Sequence, residues 1–180
     1  MLYNDIGGFM KFLPNMYKES VMDIPYSKLK KMGIKCIIFD LDNTLALLDE
    51  VDPPKRVIDL IKKLEKDFKV FIITNSKGRR AKPYKEVLNI EIISMAMKPF
   101  TKGLREISKK YGYKKSEMVM IGDQLVTDIL SGNNYNIYTI FVDPLGVKDL
   151  KITYFNRFIE KNILKRYKKK GVFERGKYYE

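Results

Sequence analysis

Ile34-Lys35-Cys36-Ile37-Ile38-Phe39-Asp40-Leu41-Asp42-Asn43-Thr44 is the stretch that decides the fold. A nearly unbroken run of β-branched and aromatic residues stops at two acids, an amide and a hydroxyl. This is the pattern of a strand covered on both faces that ends in a polar loop. Four further short apolar runs follow, over residues 68–73, 90–93, 118–121 and 137–142. Helical patterns separate them. Residues 54–67 place Val57, Ile58, Ile61 and Leu64 on one stripe behind Pro54, and residues 77–88, 101–111 and 124–133 fill the other gaps. Strand–helix alternation of this kind predicts an α/β fold: a doubly wound, Rossmann-like sheet of five mostly parallel strands.

The polar residues gather where those strands end. Asp40 and Asp42 follow the first run, Thr74 and Asn75 the second, Lys98 lies just past the third, and Asp123 closes the fourth. Ligands of open α/β sheets bind outside the carboxyl ends of the strands, so four loops deliver polar groups to one rim. Asp40, Asp42, Asp123 and Asp128 would crowd several negative charges there. A hard cation relieves that crowding, and a ligand set made only of oxygen suits Mg2+. With Lys98 and Thr74 added, the rim is built to hold a phosphate, and phosphoryl transfer relies on such positioning and charge neutralisation. One acid can attack phosphorus while another moves protons, and Asp40 and Asp42 can divide those roles. The pentapeptide from Asp40 to Thr44 also suits a loop that caps the next element. What favours chemistry is the conjunction of all four motifs, in order, each at a strand end.

Composition narrows the chemistry further. There is no histidine, which removes Ser-His-Asp and Cys-His nucleophile systems, His-based zinc sites and phosphohistidine intermediates. The single cysteine, Cys36, lies within the first apolar run and reads as core. At 180 residues the chain fits a single domain over 1–180: an N-terminal flank at 1–33, a catalytic core at 34–150, and a C-terminal helix and basic tail at 151–180. No apolar run is long enough to cross a bilayer and no secretory signal is evident, so the expected location is cytoplasmic. The formal charge of +13 admits a polyanion partner or a simple compositional bias. Two flanks are sticky. Phe9, Met10, Phe12, Leu13, Met16 and Tyr17 surround Pro14, and residues 153–170 place Phe155, Ile159, Ile163 and Tyr167 at four-residue spacing. Either flank could touch a membrane surface or simply cover a sheet edge or a helix face.

Asp40-Leu41-Asp42-Asn43-Thr44-Leu45, Ile73-Thr74-Asn75-Ser76, Lys98-Pro99 and Gly122-Asp123-Gln124-x-x-Thr127-Asp128 resemble the four ordered motifs of the haloacid dehalogenase superfamily. Ala96-Met97-Lys98-Pro99, residues 122–128 and Asn156-Arg157-Phe158-Ile159-Glu160 are similar, more narrowly, to its YqeG and phosphatidylglycerophosphatase group. The resemblance implies an Mg2+-dependent phosphatase. It implies Asp40 as nucleophile and metal ligand, and Asp42 as general acid/base whose backbone carbonyl also touches the metal. Thr74, Asn75 and Lys98 would hold the phosphate, Asp123 would anchor Mg2+, and Asp128 would support the site or add a ligand. Asp42 speaks against dehalogenase chemistry.

The intervals from Asp40 to Thr74 and from Thr74 to Lys98 are each already filled, so no cap domain fits. An open site favours a substrate whose bulk stays outside. With the basic charge and the narrower resemblance, this predicts an anionic lipid phosphate, phosphatidylglycerophosphate, met peripherally at the inner membrane face. Two alternatives stand beside it: a phosphatase for a soluble or macromolecular ester, and a non-catalytic RNA- or ribosome-binding module using the basic cluster at 165–170. Specific nucleic-acid binding is not expected.

Overall fold

The computed structural model describes residues 10–146 and 151–177. Phe9 and the rest of 1–9, residues 147–150 of the expected core, and 178–180 lie outside the described residues. Six strands form one parallel sheet: β1 (Met16–Lys18), β2 (Cys36–Phe39), β3 (Lys69–Ile73), β4 (Glu91–Ile93), β5 (Met118–Gly122) and β6 (Tyr138–Val142), in the order β1-β6-β5-β2-β3-β4. From β2 the chain winds outward through β3 and β4, then returns to pair β5 on the other side of β2. The switch in direction therefore falls between β2 and β5. Their register sets Phe39 opposite Ile121, so the loops after both strands open side by side.

Alternation along the strands divides the core. Ile37, Phe39, Val70, Ile72, Val119 and Ile121 face one way, under Leu29 of α1 (Tyr26–Lys31), Val57, Leu60, Ile61 and Leu64 of α2 (Lys55–Leu64), and Tyr84 and Leu88 of α3 (Gly78–Leu88). Cys36, Ile38, Phe71, Ile73, Met118 and Met120 face the other way, under Leu104 and Ile107 of α4 (Lys102–Tyr111) and Tyr135 of α5 (Leu130–Tyr135). Because both faces are covered, the central strands read as unbroken apolar runs rather than alternating ones. Burial pushes the Cys36 thiol up to about 12, as expected of core filler.

Three expectations need correction. The sheet has six strands, not five. The sixth, β1, comes from the apolar cluster around Pro14 and pairs Met16 with Ile140 and Tyr17 with Phe141, so this flank does cover a sheet edge. Three residues are too few to carry a periodic signal. Second, residues 124–133 form a single π-helical turn over Leu125–Ile129 that runs into α5, not one regular helix. Third, α6 (Lys151–Lys169) buries Ile163 and Tyr167 with Tyr17, Phe141 and Phe173, but leaves Phe155 exposed. A four-residue repeat drifts by about 40° per step around a helix, so its two ends cannot share one face. Glu160 takes a buried place instead.

Candidate active site

The backbone N–H of Asp40 donates to Ile121 O at 2.9 Å, one step past the β2–β5 register, and holds Asp40 at the sheet's rim. Asp40, Thr44, Thr74, Lys98, Asp123 and Asp128 are all buried. The Lys98 ammonium donates to Asp40 Oδ1 at 2.5 Å and to Ile73 O at 2.8 Å, and pairs with Asp128 Oδ1 at 2.7 Å. Two of these contacts are hydrogen bonds and the third is an ion pair, since Asp128 Oδ1 has no hydrogen-bond partner among the described residues; one N–H remains to meet a ligand oxygen. Burial alone would lower its pKa; the two carboxylates outweigh this and raise it, so the lysine stays charged. Its main chain is braced by Asn75, whose Oδ1 accepts from Lys98 N at 2.7 Å and whose Nδ2 donates to Lys98 O at 3.1 Å. Asn75 thus spends its amide on positioning Lys98. Thr74 Oγ1 accepts from Ser76 N at 3.0 Å, and the Lys98–Pro99 peptide is cis.

Asp40, Asp123 and Asp128 each offer an oxygen within 4.8 Å of the other two. At that distance two unit charges repel by roughly 3 kcal/mol at an effective dielectric near 20. Burial pushes Asp40 well above the usual carboxylate range; Lys98 opposes the rise, while Asp128 and Asp123 reinforce it. Burial also pushes Asp123 up to about 6 against the pull of Arg157 and Thr44. Thr44 Oγ1 donates to Asp123 Oδ1 at 2.7 Å. Arg157, from α6, donates through Nη2 to Asp123 Oδ2 and through Nη1 to Asp123 O at 2.7 Å. The three acids outnumber the two cations that face them, in a buried pocket whose donors are all oxygens. That donor set fits a divalent metal ion.

Asp128 reaches the site from the π-helical turn, its Oδ2 accepting from Gln124 N at 3.1 Å. Gly122 makes room for it, because a Cβ there would fall 2.3 Å from Asp128 Cγ. Gly122→Ala is therefore expected to displace Asp128 and loosen Lys98. Activity should fall at least tenfold while the melting temperature drops only modestly, and full activity in that variant would show that the Asp128 contact is dispensable.

Asp42 stands apart from the three acids. Its carboxylate accepts from Ser76 Oγ at 2.5 Å and from Arg80 Nε at 2.9 Å. Arg80 also donates to Leu47 O at 3.0 Å and to Glu50 O at 2.8 Å, and lies 4.8 Å over the Tyr84 ring. These bonds fasten the loop after β2 onto α3. Sequence reasoning found the acids and Lys98 but gave no role to Thr44, Ser76, Arg80, Arg157 or Glu160. Glu160 accepts from Leu125 N at 2.9 Å and from Arg157 at 3.3 Å, tying α6 to the π-helical turn. The only signal for this pair was the Asn156–Glu160 likeness noted above.

Residues 8–147 match the family described as mitochondrial PGP phosphatase. The probable phosphatase YqeG of Bacillus subtilis is 40% identical over 161 residues, spanning 89% of this chain and 94% of that one. Phosphatidylglycerophosphate phosphatase 1, chloroplastic/mitochondrial, of Arabidopsis thaliana is 28% identical over 171 residues, which is 89% of this chain but 49% of that one. Among solved structures, a HAD family enzyme from Bacteroides thetaiotaomicron, determined as a magnesium complex, superposes with a TM-score of 0.52 at 15% identity, covering 68% of this chain and 98% of that one. At that identity the likeness speaks for the fold. The strand-end motifs, the parallel sheet and these matches agree: the chain is a phosphatase of the haloacid dehalogenase superfamily, belonging to the mitochondrial PGP phosphatase family.

Proposed function

We propose that the chain hydrolyses phosphatidylglycerophosphate to phosphatidylglycerol and inorganic phosphate, using Mg2+ and a phosphorylated Asp40. The observation that carries the chemistry is the buried cluster of Asp40, Asp123 and Asp128 around Lys98 at the switch point of the sheet. Asp40 and Asp123, with the backbone carbonyl of Asp42, would hold the ion, which would neutralise charge on the phosphate. Asp128 faces Lys98 and reads as its counter-charge first, a ligand second.

In this reading an Asp40 carboxylate oxygen attacks phosphorus and the bond from phosphorus to the glycerol oxygen breaks. Asp42 gives its proton to that leaving oxygen. Water then attacks the phosphorus of the acyl phosphate, Asp42 takes a proton back, and phosphate leaves with Asp40 restored. Lys98 and Thr74 hold the phosphoryl oxygens throughout. Because Asp42 is gripped by Ser76 and Arg80, proton delivery requires the Arg80 contact to open, which couples the acid to the loop after β2.

The lipid substrate is supported by the uncapped rim, the charge of +13 and the activity for which the Arabidopsis relative is named. Among the described residues no helix is long and apolar enough to cross a membrane, so the proposed site of action is peripheral, at the cytoplasmic face. The test is phosphate release with Mg2+ from vesicles carrying phosphatidylglycerophosphate, beside p-nitrophenyl phosphate and phosphoglycolate. The lipid is expected to win by about 100-fold or more in kcat/KM, a difference of roughly 3 kcal/mol in transition-state binding. Equal turnover of the soluble esters would overturn the lipid assignment and leave a soluble-ester phosphatase.

A further inference from the structure

We propose that the outer face of α6, together with the loop carrying Lys98, is a docking surface that sets the open site against an anionic lipid bilayer. The inference deepens the lipid-phosphate reading, but it is a statement about binding and is measured without turnover.

Two stretches of chain border the acids, and both turn large apolar side chains outward. Beside Lys98, Met95, Met97 and Phe100 are 63% to 68% exposed. Met95 and Met97 have φ of 51° and 54°, a region that residues with a Cβ seldom occupy, so the loop holds both in a costly conformation while keeping Ala96 and Lys98 inward. Across the site, Arg157 grips Asp123, and its helical neighbours Tyr154, Phe155 and Phe158 are 59% to 66% exposed. Single exposed apolar residues are ordinary. Six on the two short stretches that carry Lys98 and Arg157 are not.

Charge selects the partner. Along α6, Tyr154, Phe158, Lys161 and Lys165 recur at spacings of four, three and four residues, which aligns them on one stripe. The exposed residues of the described part of this helix include no acid; Glu160, its one carboxylate there, is buried. Further along, Lys165 and Lys169 rim an apolar groove floored by Phe12, Ile159 and Ile163. Aromatics at one end of a helix face and lysines along the rest match the interface of a bilayer with negative headgroups, where rings settle at headgroup level and ammonium groups meet phosphates. An RNA partner would be served by the lysines, and its bases would stack on the aromatics, but it leaves the methionines around the mouth without a role.

The experiment is flotation with vesicles of phosphatidylcholine alone and of phosphatidylcholine mixed with phosphatidylglycerol, without substrate. The chain is expected to bind the mixed vesicles and not the neutral ones. Phe155→Ser with Phe158→Ser should weaken binding about tenfold or more. Lys161→Glu with Lys165→Glu should weaken it at least about 25-fold, at roughly fivefold for each lysine lost from an anionic surface. Both variants should keep the melting temperature and p-nitrophenyl phosphate turnover of the unaltered chain. Lys62→Glu with Lys63→Glu, an equal charge change at the far end of α2, should bind normally. The proposal fails if the unaltered chain does not float with anionic vesicles, if the α2 variant loses as much as the α6 charge variant, or if the aromatic variant binds undiminished. Tight RNA binding without vesicle binding would reassign the face. Vesicle binding without hydrolysis of phosphatidylglycerophosphate would leave the docking surface standing and remove only the substrate.

Discussion

Asp40→Asn is expected to lower phosphate release by roughly 10^4-fold or more, the scale on which removing a covalent nucleophile acts. The variant should nevertheless fold. Lys98 keeps Ile73 O and Asp128 as partners, and the change removes a buried charge that Asp123 and Asp128 repel. Without metal, its melting temperature should equal or exceed that of the unaltered chain. Acid-stable phosphate trapped on the protein after quenching should also vanish. A variant that retains more than about 1% of the turnover, or still traps label, would remove Asp40 from the nucleophile's role, because a bystander carboxylate contributes far less.

Arg157→Met carries the second large effect, this one on stability. Asp123 is fully buried, and Arg157 supplies its ionic partner from α6. Removing one side of a buried pair costs about 3–5 kcal/mol, on the order of 10 °C for a domain of this size. The pH dependence follows from the same groups. Burial pushes Asp123 up to about 6 and Glu160 up to about 7, so both bind protons more tightly folded than unfolded. Their contribution to stability is therefore full below the ordinary carboxylate range near pH ~4 and is lost as pH rises through 6 to 7. Metal-free protein should melt progressively lower from about pH 5 to pH 7.5, and more steeply so in Arg157→Met. Adding Mg2+ near neutrality should raise the melting temperature of that variant by more than it raises that of the unaltered chain. A flat profile in both, or equal Mg2+ responses, would show that Arg157 does not neutralise the acids.

The fold was legible because its central strands are covered on both faces, which leaves an unbroken apolar run at 36–39, 70–73 and 118–122. Asp40 and Asp123 were legible for a related reason: a charged residue directly after such a run has nowhere to go but the rim, whereas Lys98, past a four-residue loop after β4, was legible from its place in the ordered motifs. The edge strand β1 was hidden, since three residues between Pro14 and Ser20 carry no period. Arg80 and Arg157 were hidden differently. A helical arginine reads locally as a solvated surface charge, and its partner, Asp42 or Asp123, lies on another element far along the chain. Local pattern reports which residues a strand end offers. It does not report which helix returns to meet them.

The hydroxyl of Tyr17 on β1 bonds Asp143 at 2.9 Å and accepts from Gly176 N at 3.1 Å, while its ring packs edge-on to Phe173. Two segments nearly a whole chain apart thus close over one aromatic cluster, and α6 is anchored in it through Ile163 and Tyr167. During synthesis the sheet and its acids emerge from the ribosome before Arg157, and the aromatic cluster that anchors α6 is complete only once Phe173 follows. The nascent chain therefore passes through a stage in which the acids of the rim exist but the helix that holds Asp123 does not. Order of synthesis thereby acts as a safety catch, withholding the assembled site until Phe173 is in place.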